Sequence, residues 1–223
     1  MRIVYRHDPL KALRRMPRPK AEDVIAAIAR IAADPSAPNN NVRPLKGIPN
    51  GFRIRIGDWR ASYTVDRAAA VIDVFEIAPR GGAYRMSGRK IRFVGELEGS
   101  LSAQAIAVAL DARCVDEAGD ADLVVMRPKH LEEMLEDAAA AAAFHATRGQ
   151  EAFPAEVVSR LVAGENAVRV WREYRGLSQR ALAERAGLNF TYLSQIERGA
   201  RTGAVKTVRK LSEVLGLELS DLV

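Results

Sequence analysis

The most regular alternation of apolar and polar residues lies in residues 51–65, which read GFRIRIGDWRASYTV. A phenylalanine and two isoleucines alternate there with arginines, and this period of two predicts a half-buried strand. The Gly-Asp pair at 57–58 has the glycine-first order of a type II′ turn, so the stretch predicts a β-hairpin. In that register Arg55 lies directly opposite Arg60.

The predicted hairpin places three arginines, Arg53, Arg55 and Arg60, on one face of the sheet, with Arg53 paired to Ser62. Like charges on directly opposite residues are unfavourable, by a few tenths to about 1 kcal/mol. A sheet that keeps such a pair indicates an anion-binding site. The alternative is a solvated basic face on an amphipathic hairpin.

Weaker patterns surround the hairpin and predict two helices on an antiparallel sheet, which is an α+β layer. Apolar residues at helical spacing indicate a helix at 20–33. Asp8 is a candidate N-cap for a shorter helix ahead of it, which Pro17 and Pro19 end. The predicted elements are strands at 2–6, 42–45 and 71–77 and helices at 9–16 and 20–33.

The middle of the chain, residues 87–165, predicts a small α+β region. Its predicted elements are strands at 90–94 and 123–126 and helices at 100–110, 129–147 and from Pro154 to Gly164. The helix at 129–147 carries the acids Glu132, Glu133, Glu136 and Asp137 beside an apolar stripe. Such a helix is suited to lie on a basic partner. The alternative is a dimerisation or core helix with a solvated acidic face.

The last segment, residues 166–223, predicts an all-α domain. Ser178 and Asn189 are candidate N-caps of two short helices, with the pair Ala186-Gly187 as the turn between them. The predicted inner face of these two helices consists of Leu182, Ala183, Leu188, Leu193 and Ile196. Further helices are predicted at 167–174, 205–215 and 219–223.

The distribution of charge divides the chain into the same three segments. Residues 1–86 hold 16 basic and 8 acidic side chains, residues 87–165 hold 8 and 14, and residues 166–223 hold 10 and 6. A basic–acidic–basic order suggests two polyanion-binding modules around an acidic segment that complements one of them. Accidental composition is the alternative.

Composition excludes several classes of protein. The single cysteine, Cys114, excludes an intramolecular disulfide and fits a reducing cytoplasm. No apolar run is long enough to span a membrane, and the N-terminus lacks a signal-peptide core. His130 and His145 have no partners at metal-ligand spacing, so we expect neither a metal nor a cofactor.

The order of short blocks in residues 1–86 resembles the RelE toxins of the RelE/ParE superfamily. The blocks are KALRRMP, Asp34-Pro35, PLKG, GFRIRIGDWRASY and PRxxxYR. RelE toxins resemble small microbial ribonucleases in fold and cut messenger RNA in the ribosomal A site. The resemblance therefore implies a ribosome-dependent ribonuclease. ParE-like relatives, which target gyrase, are the alternative, and the set Arg60, Arg80 and Tyr84 argues against them.

The resemblance implies catalytic roles for Arg53, Arg55, Arg60, Arg80 and Tyr84. Arginines can stabilise the negative charge that builds on the phosphoryl oxygens when a ribose 2′-OH attacks. The two strand positions are often lysine in this family, and an arginine that stays protonated is a poor general base. None of the five matching site positions is a histidine or an acid, so we assign the base role to Tyr84.

Residues 166–223 resemble a lambda-repressor/Cro-type (XRE) helix-turn-helix domain through the string LSQ…LA…AGL…YLSQIERG. In this motif the second helix lies in the major groove of DNA. Gln195 could then read adenine, and Phe190 could touch a thymine methyl. Glu197 is expected to hold the turn. The expected DNA contacts are Gln179, Arg180, Asn189, Phe190, Thr191, Ser194, Gln195 and Arg201. A motif used only for protein contacts is the alternative.

Together these patterns predict a toxin and its antitoxin in one chain, with the domains 1–86, 87–165 and 166–223. The middle region loosely resembles Phd/YefM-type antitoxins and would mask the toxin, within one chain or between two. The last domain would bind operator DNA as a homodimer and repress its own operon. The alternative is a transcriptional regulator whose RelE-like domain is catalytically dead.

Overall fold

A computed structural model describes residues 1–80 and 128–222 of the chain. Met1–Pro79 and Ala140–Val223 belong to one compact unit, and Arg80–Ala139 belong to a second. The described strands are β1 (Arg2–Arg6), β2 (Val42–Pro44), β3 (Gly51–Ile56), β4 (Trp59–Asp66), β5 (Val71–Pro79) and β6 (Ala152–Pro154). The described α-helices are α1 (His7–Arg15), α2 (Arg18–Ala33), α3 (Pro128–Ala146), α4 (Ala155–Val162), α5 (Ala167–Tyr174), α6 (Gln179–Arg185), α7 (Phe190–Glu197) and α8 (Val205–Leu215). The elements predicted at 90–94, 100–110 and 123–126 lie outside the described residues.

The six strands form one mixed sheet in the order β2-β3-β4-β5-β1-β6. The β3–β4 hairpin has the predicted register, with Arg55 opposite Arg60. Gly57 has the positive φ, 59°, that the first position of a type II′ turn requires. The prediction of a purely antiparallel sheet is wrong, because β1 runs parallel to β5. Residues 7–70 separate these two strands and include two helices, which supply the long crossover that parallel pairing needs.

The sixth strand comes from the middle of the chain, and the sequence did not predict it. In β6, Phe153 pairs with Tyr5 of β1 in antiparallel register. Helix α4 begins directly after its N-cap, Pro154, which is close to the predicted start at Pro154, and it packs on α1, α2 and β1. Val158 of α4 is fully buried. Residues 152–162 thus complete the sheet domain that begins at the N-terminus.

The first two helices differ from their predicted limits. Helix α1 begins at His7, so Asp8 lies inside its first turn and is not its N-cap. Helix α2 begins at Arg18 with Pro19 in its first turn. A proline is tolerated there because the N–H that it lacks would have no partner within the helix. The break between the helices therefore falls at Met16 and Pro17 alone.

One cluster of buried apolar side chains runs from the sheet domain into the C-terminal helices. Phe153 links the two parts, because its ring lies 4.8 Å from that of Trp171 and 5.9 Å from that of Tyr174. Trp171 is fully buried, as are Leu10 of α1 and Leu193 of α7. The helical segment and the sheet domain therefore share a core.

The last turn of the chain also docks on α1. Asp221, at the end of a short 3₁₀ helix (Leu219–Asp221), accepts a hydrogen bond from Trp171 Nε1 through its backbone carbonyl at 3.2 Å. Lys11 Nζ lies 2.8 Å from Glu218 Oε2, and this contact lowers the pKa of Glu218. Arg14 donates to the Asp221 carbonyl at 2.8 Å. Polar contacts thus surround the shared core at this end.

Candidate nucleic-acid interfaces

The helices α6 and α7 form the predicted motif, and each of them begins with a side-chain N-cap, as predicted. Ser178 Oγ accepts from the backbone N–H of Ala181 at 3.1 Å, and Asn189 Oδ1 accepts from that of Thr191 at 2.8 Å. Such caps satisfy N–H groups that have no partner in the first helical turn. Gly187, with a φ of 59°, forms the turn between the helices. Local chemistry therefore fixes where α7 begins.

Helix α7 presents the side chains that the sequence assigned to base contacts. Phe190, at its first position, is 51% exposed. Thr191 is exposed, and Ser194 and Gln195 are partly exposed. The opposite side of the helix is anchored by the buried Leu193. The outer face of α7 is thus accessible and polar, with one exposed aromatic ring.

Glu197, at the end of α7, holds the motif together, as expected. It is 6% exposed and accepts hydrogen bonds from Arg172 Nε at 2.7 Å and from Arg172 Nη2 at 3.0 Å. Gln179 Nε2 donates to the same carboxylate at 3.0 Å. The bonds to Glu197 raise the pKa of Arg172. Gln179 therefore already has a role within the motif, whereas its neighbour Arg180 is exposed.

An open pocket lies at the C-terminal end of α7. Gln195, Arg198, Ala200 and Arg201 line it. The Arg201 guanidinium lies over the ring of Tyr192, 5.6 Å from its centroid, which restrains this exposed cation. Arg198 is not among the DNA contacts expected from the sequence, although its position three residues after Gln195 places both on one side of a helix.

A second group of polar side chains forms a row across four strands of the sheet, from β2 to β5. Arg43 lies opposite Arg53, Arg53 lies opposite Ser62, and Ser62 lies opposite Glu76. Directly opposite residues share a face, so this row projects to one side of the sheet. We call this surface the arginine face; it comprises Arg43, Arg53, Arg55, Arg60, Ser62 and Glu76.

Glu76 is the acid that the sequence reasoning missed. The Ser62 hydroxyl, which is fully buried, donates to Glu76 Oε2 at 2.7 Å. Burial raises the pKa of Glu76, and the Ser62 hydrogen bond and the charges of Arg53 and Arg60 offset only part of this effect. Glu76 precedes the PRxxxYR block and reaches the face through sheet register. No spacing in the sequence indicates that Glu76 pairs with Ser62, or that Arg43 pairs with Arg53.

Two of the other predicted catalytic residues, Arg55 and Arg80, lie outside the row formed by Arg53, Ser62 and Glu76. Arg55 is exposed near the turn of the hairpin, where its Nε donates to the Gly57 carbonyl at 3.4 Å. Arg80 is exposed directly after β5 and belongs to the second compact unit. Tyr84 lies outside the described residues. The structure thus brings together Arg53, Arg55 and Arg60 of the predicted set.

The end of α3 packs on the same side of the sheet as the arginine face. Tyr5 and Val74 point into the core, so the adjacent Arg6 and Asp73 point to the opposite side, where the arginines lie. Arg6 Nη2 lies 2.7 Å from Asp73 Oδ2, and Arg6 Nη1 donates to the Phe144 carbonyl at 3.1 Å.

Phe75 continues this contact next to Glu76. It is the extra residue of a β-bulge, since Glu76 pairs with Ser62 while Val74 pairs with Tyr63. Its ring packs edge-to-face on that of Phe144 at 5.2 Å. The segment that directly follows the acidic stretch therefore lies beside the arginine face.

The residues at 1–80 and 128–222 contain no group of three or more histidine, cysteine, aspartate or glutamate side chains placed to hold a metal ion. Within the same ranges no helix combines the length and the apolar character needed to cross a membrane.

Comparisons with known proteins identify the C-terminal segment. A family model described as "Helix-turn-helix" matches residues 168–222. The "Uncharacterized HTH-type transcriptional regulator y4dJ" of Sinorhizobium fredii is 39% identical over 64 residues, which are 29% of this chain and 82% of that protein. "Control protein C.BamHI" of Bacillus amyloliquefaciens is 34% identical over 64 residues, 29% of this chain and 79% of that protein.

Among solved structures, the restriction-modification controller protein C.AhdI from Aeromonas hydrophila is similar at 34% identity, with a TM-score of 0.26. The similarity covers 26% of this chain and 89% of that one. The family match ends within the helical segment and does not reach the sheet domain. Through residues 168–222, the chain belongs to the helix-turn-helix family of DNA-binding transcriptional regulators.

Proposed function

We propose that the chain is a transcriptional regulator that reads an operator with α7, acting as a homodimer on a palindromic site in its own operon. The accessible outer face of α7 is the observation that carries this proposal. Gln195 is partly exposed there, and Phe190 is 51% exposed. Burying an exposed phenylalanine against a DNA base removes apolar surface from water, which is favourable.

The chemistry of this face suits direct readout in the major groove. The Gln195 amide can donate to and accept from one adenine, and the Phe190 ring can contact a thymine methyl. The exposed cations Arg180 and Arg201 flank the helix in sequence and supply phosphate contacts that fix its position on the duplex. Arg198 adds a third cation beside Gln195.

Selection of binding sites from a random DNA library by the full-length protein tests this proposal. We expect enrichment of one palindromic motif, and an affinity that falls steeply as salt concentration rises. A Glu184→Ala variant is the matched control, because this exposed side chain of α6 lies outside the proposed interface. Failure to enrich any motif would contradict sequence-specific DNA binding.

A second candidate function is the RelE-like ribonuclease of the sheet domain. The arginine face favours it, because it gathers four arginines beside one buried serine and one carboxylate. Preorganised cations of this kind stabilise the charge that develops on a phosphoryl group under attack. Arg80 and Tyr84 would complete the site of the free toxin on ribosome-bound messenger RNA.

The acidic stretch Glu132, Glu133, Glu136 and Asp137 would mask this site, within one chain or from a second chain. Charge complementarity supports masking, as does the position of these acids just before the segment that packs beside Phe75. A masked arginine face would leave the intact chain mostly inactive as a nuclease. The regulator with an inactive RelE-like domain is the alternative.

The nuclease test requires the full chain, because β6 and α4 complete the sheet domain and a fragment ending at residue 86 lacks both. Neutralising the four acids to glutamine or asparagine should produce growth arrest and cleavage of ribosome-bound messenger RNA, seen by primer extension. Adding Arg60→Ala should abolish both effects. Absence of cleavage by the neutralised variant would reject the ribonuclease and leave the inactive-domain regulator.

A further inference from the structure

We infer that the arginine face is a binding site for an RNA phosphodiester, in which Glu76 contacts the ribose 2′-OH next to the bound phosphate and accepts its proton during cleavage. The proton transfer rests on the proposed ribonuclease function. The ribose contact does not, because it requires binding alone. Glu76 therefore replaces Tyr84 as our candidate for the general base.

Sheet geometry supports this arrangement. Ser62 stands between Arg53 and Glu76 in one cross-strand row, and Arg60 lies two residues from Ser62 on the same strand and face. Strands lie about 4.8 Å apart, so the backbones of Arg53 and Glu76 are roughly 10 Å from each other. A gap of this size accommodates a phosphate held by the arginine side chains next to a ribose that faces the carboxylate.

The hydrogen bond from Ser62 fixes the carboxylate in this position. Ser62 Oγ donates to Oε2 at 2.7 Å, which leaves Oε1 of Glu76 as the acceptor for a ligand hydroxyl. Burial raises the pKa of Glu76, so the carboxylate is more basic than an exposed glutamate. A general base works best when its pKa approaches the working pH. An arginine on this face cannot take that role, because it remains protonated.

The reaction step is a transesterification. Glu76 takes the proton of the 2′-OH, the 2′-oxygen bonds to phosphorus, and the P–O5′ bond breaks. The 5′-oxygen leaves with a proton supplied by water, and the hydroxide so formed removes the proton from Glu76. The products are a 2′,3′-cyclic phosphate and a 5′-hydroxyl, with no redox change. Arg53 and Arg60 stabilise the added charge on the phosphoryl oxygens.

Calorimetric titration with adenosine 3′-monophosphate and its 2′-deoxy analogue tests the binding site. The full chain and its acid-neutralised variant are both titrated, so that masking does not hide the site. We expect the ribonucleotide to bind about tenfold more tightly than the deoxy analogue, as one hydrogen bond to a charged acceptor implies. Glu76→Ala should remove this preference, and Arg53→Ala should weaken both ligands equally.

Glu76→Gln separates the binding role from the proton transfer. The amide keeps an acceptor oxygen and removes a negative charge beside the phosphate, so ribonucleotide affinity should be maintained or increased. Cleavage by the acid-neutralised chain should fall at least 100-fold, as the loss of a general base implies. An acid-neutralised chain with Glu76 intact that binds neither ligand, or binds both equally, overturns the inference.

The cleavage measurements distinguish this inference from the proposed ribonuclease. Ribose preference without any cleavage by the acid-neutralised chain would support the site and reject the ribonuclease. Cleavage that Glu76→Gln leaves unchanged would support the ribonuclease and overturn the role of Glu76.

Discussion

His7 Nε2 lies 2.9 Å from both carboxylate oxygens of Asp221, which is 214 residues further along the chain. The pair joins the first helix of the sheet domain to the last turn of the helix-turn-helix segment. Asp221 is 1% exposed, and its carboxylate also accepts from the backbone N–H of Glu218 at 3.0 Å. The two ends of the chain are thus tied together around a buried carboxylate.

Asp221→Ala should lower the free energy of unfolding by about 1–3 kcal/mol, because it leaves the partly buried His7 and a backbone N–H without their acceptor. Urea unfolding followed by circular dichroism measures the change. Ser220→Ala is the matched control, since the Ser220 side chain is exposed and points to solvent-accessible Glu218. Equal midpoints for the two variants would mean that the His7–Asp221 contact does not hold the two parts together.

Phe153→Ala should destabilise the protein by about 3–5 kcal/mol, the usual cost of truncating a buried phenylalanine. The ring is 2% exposed and fills the junction between β1 and Trp171. Phe190→Ala provides a comparison of identical chemistry at a half-exposed position, where we expect a change within about 0.5 kcal/mol. Thermal unfolding of both variants should separate them clearly. A small effect at Phe153 would contradict the shared core.

Glu197→Ala should cost about 1–3 kcal/mol, because the mostly buried Arg172 loses both of its bonds to that carboxylate. Arg172 keeps only the Leu177 carbonyl at 2.9 Å and the Glu173 carboxylate at 3.4 Å. Loss of helical circular dichroism at a lower urea concentration would report it. Glu184→Ala, at an exposed acidic position in α6, should leave the midpoint unchanged. If both variants have the same urea midpoint as the wild type, Glu197 does not stabilise the motif.

The raised pKa of Glu76 predicts a pH-dependent stability. The folded protein retains this proton to a higher pH than the unfolded chain does, so the wild type loses stability as the pH rises from about 4.3, the ordinary value for glutamate. The loss ends above the folded-state pKa. Glu76→Gln should therefore be more stable than the wild type at pH 7 and similar to it at pH 4. Urea unfolding across this range checks the prediction, and a less stable variant at pH 7 contradicts it.

Local chemistry sufficed to predict the hairpin and the helix-turn-helix. The turn at 57–58 and the alternation beside it determine the pairing of Arg55 with Arg60, which the structure has. Ser178 and Asn189 determine the starts of α6 and α7 in the same way. These features depend on residues that are close in sequence, so their patterns were sufficient.

The features that the sequence did not reveal depend on distant residues. Strand β6 has three residues and no alternation of its own, and it exists because β1 offers an unpaired edge. Glu76 joins the arginine face only through the register of β4 with β5. The continuity of the core through Phe153 and Trp171 likewise follows from tertiary packing and not from periodicity.

Readout of DNA by α7 is measured most directly as the base preference of the full-length protein at each operator position, before and after Gln195→Ala. We expect this variant to lose about 1–3 kcal/mol of discrimination at one base pair and to keep the discrimination at the others. Arg180→Ala, the control, should weaken all sequences alike and reduce the salt dependence by about one phosphate contact. Unchanged preference at every position in the Gln195 variant would contradict readout by α7.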